Sequence, residues 1–171
     1  MTLLNNNSKT SKLARAGITA ALYFIAVMIF FPISFGGVQA RIAESLTILP
    51  IFMPEAIWGL WVGCLLSNLI GGNGLIDIVF GSLATLIAAI LTYFISKFIK
   101  NKIAKFIVGG FFPVIINAII VPFTFLLVTE LKELYFISFI QVFIGQFLSI
   151  YIIGGFLYFT IEKLTNKKKV N

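Results

Sequence analysis

Five uncharged windows decide what this chain can fold into. Ala16–Ala40, Ala56–Ile76, Ile78–Ser96, Phe106–Thr129 and Leu134–Ile161 contain no Asp, Glu, Lys or Arg. Crossing the hydrocarbon core of a bilayer takes about 20 apolar residues wound as a helix, and each window has about that length or more. A water-facing surface is not available as an alternative. Soluble domains devote about a quarter of their residues to charge, whereas these 171 residues are 11% charged and 60% hydrophobic. The expectation is an all-α integral membrane protein, a single domain over 1–171 with polar tails at 1–12 and 163–171.

Proline, glycine and charge divide the chain into six segments, near 13–35, 38–52, 54–70, 75–98, 103–128 and 134–162. The second, "VQARIAESLTILPIF", is too short to cross unaided. It is expected to span part of the bilayer inside a sheath of protein, where short or irregular elements at membrane depth are tolerated. The lysines and arginines orient the set. Lys9, Lys12 and Arg15 precede the first segment, Lys97, Lys100, Lys102 and Lys105 lie between the fourth and fifth, and Lys163, Lys167, Lys168 and Lys169 follow the sixth. With six crossings and both termini in the cytoplasm, those eleven of the thirteen basic residues fall inside, as the positive-inside rule favours. Only Arg41 and Lys132 fall outside. The net charge of +7 is thereby accounted for as topogenic and lipid-facing, not as a nucleic-acid surface.

Several chemistries find no support. The chain has no histidine and one cysteine, Cys64, in an apolar run, so neither a disulfide framework nor a structural zinc site is expected. No G-x-x-x-x-G-K-[ST] sequence occurs. If ATP drives transport, another chain hydrolyses it. No cofactor is expected.

That topology gathers the unusual polar residues at the outer end. Gln39, Arg41 and Glu44 follow the first outer loop, Asn73 and Asp77 flank the second outer turn, and Glu130 lies in the third. Asn117 and Gln141 sit in the adjoining helices, with Gln146 close behind. Arg41, Glu44 and Ser45 are spaced i, i+3, i+4 and would share one face of a helix. Charges at membrane depth are costly and either pair or serve a function. Two readings follow: an Arg41–Glu44 ion pair tethering the segment, or a Glu44 carboxylate that accepts paired N–H donors from a flat ligand such as a guanine edge, with Arg41 or Gln39 orienting it. Asp77 suits either a ligand or the positive end of a helix. Asn117, Gln141 and Gln146 suit either a ligand or hydrogen bonds between helices. Ala16 and Ala20, four apart beside Gly17, give a flat stripe that permits close helix approach.

With those residues aligned, the chain resembles the QueT family, the queuosine-precursor substrate-binding (S) components of energy-coupling-factor (ECF) transporters. "GVQARIAESLTILP" and "GGNGLIDIVFGSLATLIAAILTY" carry the resemblance most specifically. It implies six helices in a bacterial cytoplasmic membrane, partnered by a membrane-embedded T component and two ABC-type ATPases. It also implies that the Ala16–Ala20 stripe docks on the T component, and that the ligand is 7-aminomethyl-7-deazaguanine or a close relative. Glu44 would accept from the guanine edge, Asp77 or Glu130 would meet the cationic amine, and Gln39, Asn117 and Gln141 would meet the carbonyl and ring nitrogens. Loops 32–40 and 71–76 would close over the ligand. Three rivals stand beside this reading: an S component for riboflavin or a folate, an intramembrane enzyme using Glu44 and Asp77 as an acid–base pair, and a proton-coupled carrier acting alone.

Overall fold

A computed structural model describes residues 8–35, 41–71, 74–129 and 132–170. Every regular element among them is helical. Helix α1 (Lys9–Ile29) leads to the single turn α2 (Phe31–Ser34), and a 3-10 helix covers Ile42–Ile51. Then come α3 (Ala56–Gly71), α4 (Leu75–Phe98) and α5 (Lys102–Thr129). Helix α6 (Lys132–Leu148) runs through a π-helical stretch, Ser149–Gly154, into α7 (Gly155–Val170). Four of these are long and apolar enough to cross a membrane: Lys9–Ile29, Leu75–Phe98, Lys102–Thr124 and the continuous Leu134–Lys167. The chain is a multi-pass membrane protein. Two further apolar helices, Ile42–Ile51 and Ala56–Gly71, are shorter than a full crossing and lie in the second and third expected segments.

Local chemistry explains the boundaries. Ser8 caps α1 by accepting from the Ser11 amide at 3.2 Å, and Asn101 starts α5 by accepting from the amides of Ile103 and Ala104 at 2.9 and 3.0 Å. Gly74, at φ 93°, makes the left-handed entry into α4 that a residue with a Cβ would resist. Pro113 lies inside α5 and has no N–H to give the carbonyl four residues earlier. That carbonyl belongs to Gly109, and the Thr92 hydroxyl of α4 donates to it at 2.8 Å. A side chain of the neighbouring helix thus satisfies the group that proline orphaned, as helix breakers in a membrane require.

The elements pack around the 3-10 helix. Helix α1 packs parallel to α3, with Gly59 against Ala16 and Gly63 against Ala20, and antiparallel contacts join α3 to α4, α4 to α5 and α5 to α6, while the 3-10 helix touches α1, α3, α4, α5, the π-helical stretch and α7. Seven of its ten residues are buried. The α1–α3 crossing is close because α3 offers glycines: a Cβ on Gly63 would lie 2.8 Å from the Ala20 carbonyl oxygen and 2.9 Å from Tyr23 Cβ. Outward-facing positions are oily, with Ile18, Leu22 and Ile25 on α1, Trp58 on α3 and Phe156 on α7 all exposed. Hydrocarbon is the solvent that suits them.

Ion pairs tie one end of the bundle. Arg15 of α1 pairs with Glu55 just ahead of α3, and Lys102 Nζ lies 2.6 Å from Glu162 Oε1. Tyr158 donates to the Lys102 carbonyl at 3.0 Å. A cavity of about 480 Å³ at this end lies between the start of α1, the 52–55 turn and α7, lined by Lys12, Phe52, Glu55 and Leu164 among others. The basic residues of three separated stretches therefore share one end. Arg41, Asp77 and Phe35 mark the other.

A buried polar cluster as candidate functional site

The 3-10 helix delivers a carboxylate into the middle of the bundle. Its tighter winding rises about 2.0 Å per residue, so ten residues cover roughly two thirds of a hydrocarbon core of about 30 Å. Glu44 stands in its first turn with no solvent exposure. Three helices supply donors. Tyr23 of α1 donates its hydroxyl to Oε1 at 2.5 Å, Thr85 of α4 donates to the same oxygen at 3.1 Å, and the Asn117 amide of α5 donates to Oε2 at 3.3 Å. A carboxylate offers about four lone-pair positions. Three are filled, and the vacant one is on Oε2.

Arg41 does not pair with Glu44. Its Nη2 lies 3.5 Å from Asp77 Oδ2, and its Nη1 approaches Cys64 Sγ at 3.8 Å. The guanidinium carbon sits 5.3 Å from the centre of the Phe35 ring. An α-helix that included Arg41 would set it on the same face as Glu44. In fact Arg41 precedes the helix in an extended conformation, φ −81° and ψ 98°, which directs it to α4. The tethering Arg41–Glu44 ion pair is not formed. Arg41 is only 3% exposed, yet among the described residues its Nε and Nη2 have no hydrogen-bond acceptor, the Asp77 contact being an ion pair alone. An unsatisfied buried donor costs about 1–3 kcal/mol, more when charged, so an acceptor brought by a ligand would be favoured there.

The other anticipated residues divide three ways. Asp77 is buried in the first turn of α4 beside Arg41, and Asn117 is buried against Glu44. Gln141 is half-buried on α6. Gln39, Asn73 and Glu130 lie outside the described residues, as does most of the first loop expected to close over a ligand. Ala16 and Ala20 are half-buried, their backbones against Gly59 and Gly63 of α3, while Ala14, Gly17 and Ala21 face outward.

The structure adds Tyr23, Cys64, Asn68, Ser82 and Thr85. Asn68 Nδ2 reaches Cys64 Sγ at 3.5 Å, and the Asp77 carbonyl and Ser82 Oγ at 3.4 Å each. Thr85 bridges Glu44 and Cys64, with its hydroxyl 3.3 Å from the sulfur. Asn68 had the same signature as Asn117, an amide inside an apolar window, and that signature would have found it. Tyr23 and Thr85 carry no such signal, because tyrosines and threonines are ordinary in apolar helices. No group of three or more metal-ligating side chains occurs among the described residues.

The family described as QueT transporter matches residues 13–163. A queuosine precursor transporter QueT from Lactococcus lactis subsp. cremoris (strain MG1363) is 34% identical over 82 residues. That match covers 47% of this chain and 48% of the relative, so it spans about half the length of each. No solved structure matches.

Proposed function

The chain belongs to the QueT transporter family, and from that premise we propose that it is the substrate-binding component of an energy-coupling-factor importer in a bacterial cytoplasmic membrane. It captures 7-aminomethyl-7-deazaguanine, or a closely related deazaguanine, at the end of the bundle that holds Arg41 and Asp77. The relative's name, a queuosine precursor transporter, supports the substrate class. The observation that carries the reading is the fully buried Glu44, held by three neutral donors with one acceptor position left over.

Charge gives the site its selectivity. Among the described residues the cluster holds two carboxylates, Glu44 and Asp77, and one guanidinium, Arg41. A flat base with a cationic arm brings the missing positive charge. Its pyrimidine edge supplies an N–H donor to Glu44, its carbonyl meets the Arg41 N–H groups that make no hydrogen bond, and its ammonium approaches Asp77 or Glu130. Gln39, Asn73, Asn117 and Gln141 complete the polar wall. A ligand lacking a matching donor leaves a buried acceptor empty, and sites of this type reject such analogues strongly.

Six segments, counting the short 3-10 helix, set both termini on the cytoplasmic side, where the basic end of the bundle meets anionic lipid. Loops 32–40 and 71–76 cover the bound ligand. The loaded protein engages the T component through α1. Ala16 and Ala20 already give their backbones to α3, so the contact extends across the outward small residues Gly17 and Ala21 on the same helix. Two partner ATPases supply the energy, and ligand leaves on the cytoplasmic side.

Calorimetric titration of purified protein with 7-aminomethyl-7-deazaguanine tests the ligand. Glu44→Gln exchanges the buried anion for a neutral amide and should weaken binding at least tenfold, about 1.4 kcal/mol. Affinity equal to that of the unaltered protein would remove Glu44 from the site. Absence of binding by the unaltered protein, alongside binding of riboflavin or a folate, would replace the substrate class.

A further inference from the structure

Gln146 is 1% exposed, and among the described residues its Oε1 has no hydrogen-bond donor. Its place on α6 is fixed by its neighbours. One turn earlier, Val142 packs with Ala118 and Val121 of α5, and one turn later Ile150 packs with Val114 and with Ile48 of the 3-10 helix. A Cβ on Gly110 would lie 3.0 Å from Ile150 Cγ2, which confirms the antiparallel register of the two helices. Residue 146 therefore lies level with 114–117 of α5, at the height of Asn117, whose amide donates to Glu44. The π-helical stretch Ser149–Gly154 begins directly beyond. Such stretches concentrate at functional sites because they re-aim the side chains around them.

An apolar side chain of similar size would leave no empty acceptor at this position. A buried amide oxygen left empty is penalised, so its presence needs a donor that the resting protein does not supply. Glu44 retains one free acceptor position after Tyr23, Thr85 and Asn117 have donated. A guanine-type pyrimidine edge offers two adjacent donors, the ring N–H and the exocyclic amine, and so needs two acceptors.

We propose that Gln146 is a ligand-contacting, specificity-determining residue whose Oε1 accepts one N–H of the deazaguanine edge while Glu44 Oε2 accepts the other. The two side chains come from the 3-10 helix and α6, so bound ligand joins these two elements. This role rests on the ligand reading given under Proposed function.

The test compares Gln146→Leu, which removes the acceptor, with Gln146→Glu, which keeps it, in the full-length protein titrated with 7-aminomethyl-7-deazaguanine. Leucine should weaken binding about tenfold or more while the ligand-free melting temperature holds or rises. Glutamate should restore affinity to within about threefold of the unaltered protein, or tighten it. An analogue lacking the exocyclic amine should lose less affinity on Gln146→Leu than the parent does. Equal affinity of Gln146→Leu and the unaltered protein overturns the proposal. A ligand-free melting temperature that falls in Gln146→Leu, with no recovery of affinity in Gln146→Glu, overturns it in favour of a packing role. Failure of the unaltered protein to bind either deazaguanine instead sinks the substrate class on which the role stands.

Discussion

Replacing Tyr23 by phenylalanine removes one oxygen from the centre of the molecule and little else. The ring is fully buried, packed in a cluster with Val27, Ala43, Leu60 and Cys64, and phenylalanine keeps that volume. What disappears is the 2.5 Å hydrogen bond to Glu44 Oε1. Hydrogen bonds to charged groups contribute about 1.5–3 kcal/mol. Thr85 continues to donate to the same oxygen, which puts the expected loss in the lower half of that range, about 1.5–2 kcal/mol, or roughly 10- to 30-fold in the folding equilibrium. The assay is equilibrium unfolding in mixed micelles, run as a cycle over Tyr23→Phe, Glu44→Gln and the double variant. Contacting groups couple and distant ones add, so the cycle should return about 1–2 kcal/mol between the two positions. A coupling of zero, with Tyr23→Phe as stable as the parent, would show that α1 does not hold the carboxylate and would refute the arrangement around Glu44.

Two further perturbations probe the same framework. Gly63→Val would set a Cβ 2.8 Å from the Ala20 carbonyl oxygen and 2.9 Å from Tyr23 Cβ; neither can swing aside, so α1 must move, with loss of about 1–3 kcal/mol and of ligand affinity, measured by thermal unfolding and titration. Gly17→Trp projects from an exposed position with open space around its Cβ, so ligand affinity should stay within about twofold while co-purification with a T component is lost; retained co-purification would remove this face of α1 from the docking contact.

Segment limits were legible because lipid imposes length and proline, glycine and charge impose punctuation. The expected 75–98 coincides with α4, and 54–70 and 103–128 fall within two residues of α3 and α5. The sixth segment runs on to Val170, past the expected end at 162, since "KLTNKKK" contains nothing that breaks a helix once it leaves the apolar core. Glu44, Asp77 and Asn117 were legible as polar groups in an oily context. Their partners were not. Whether Arg41 faces Glu44 or Asp77 depends on the helix beginning at Ile42, with Arg41 extended ahead of it, and a run such as "ARIAESLTILPI" carries no signal that fixes that start. Tyr23 and Thr85 were hidden for another reason. They lie 21 residues before and 41 residues after Glu44, and only the docking of α1 and α4 onto the 3-10 helix gives their hydroxyls a carboxylate to meet.

Three residues per turn also makes the central helix a peg with three walls. Glu44, Thr47 and Pro50 form one column, Ile42, Ser45, Ile48 and Ile51 a second, and Ala43, Leu46 and Leu49 a third. Each inserted or deleted residue would spin everything downstream by about 120°, trading one whole column for another. The peg has no sliding intermediate positions: its columns either all meet their intended neighbours or all miss them.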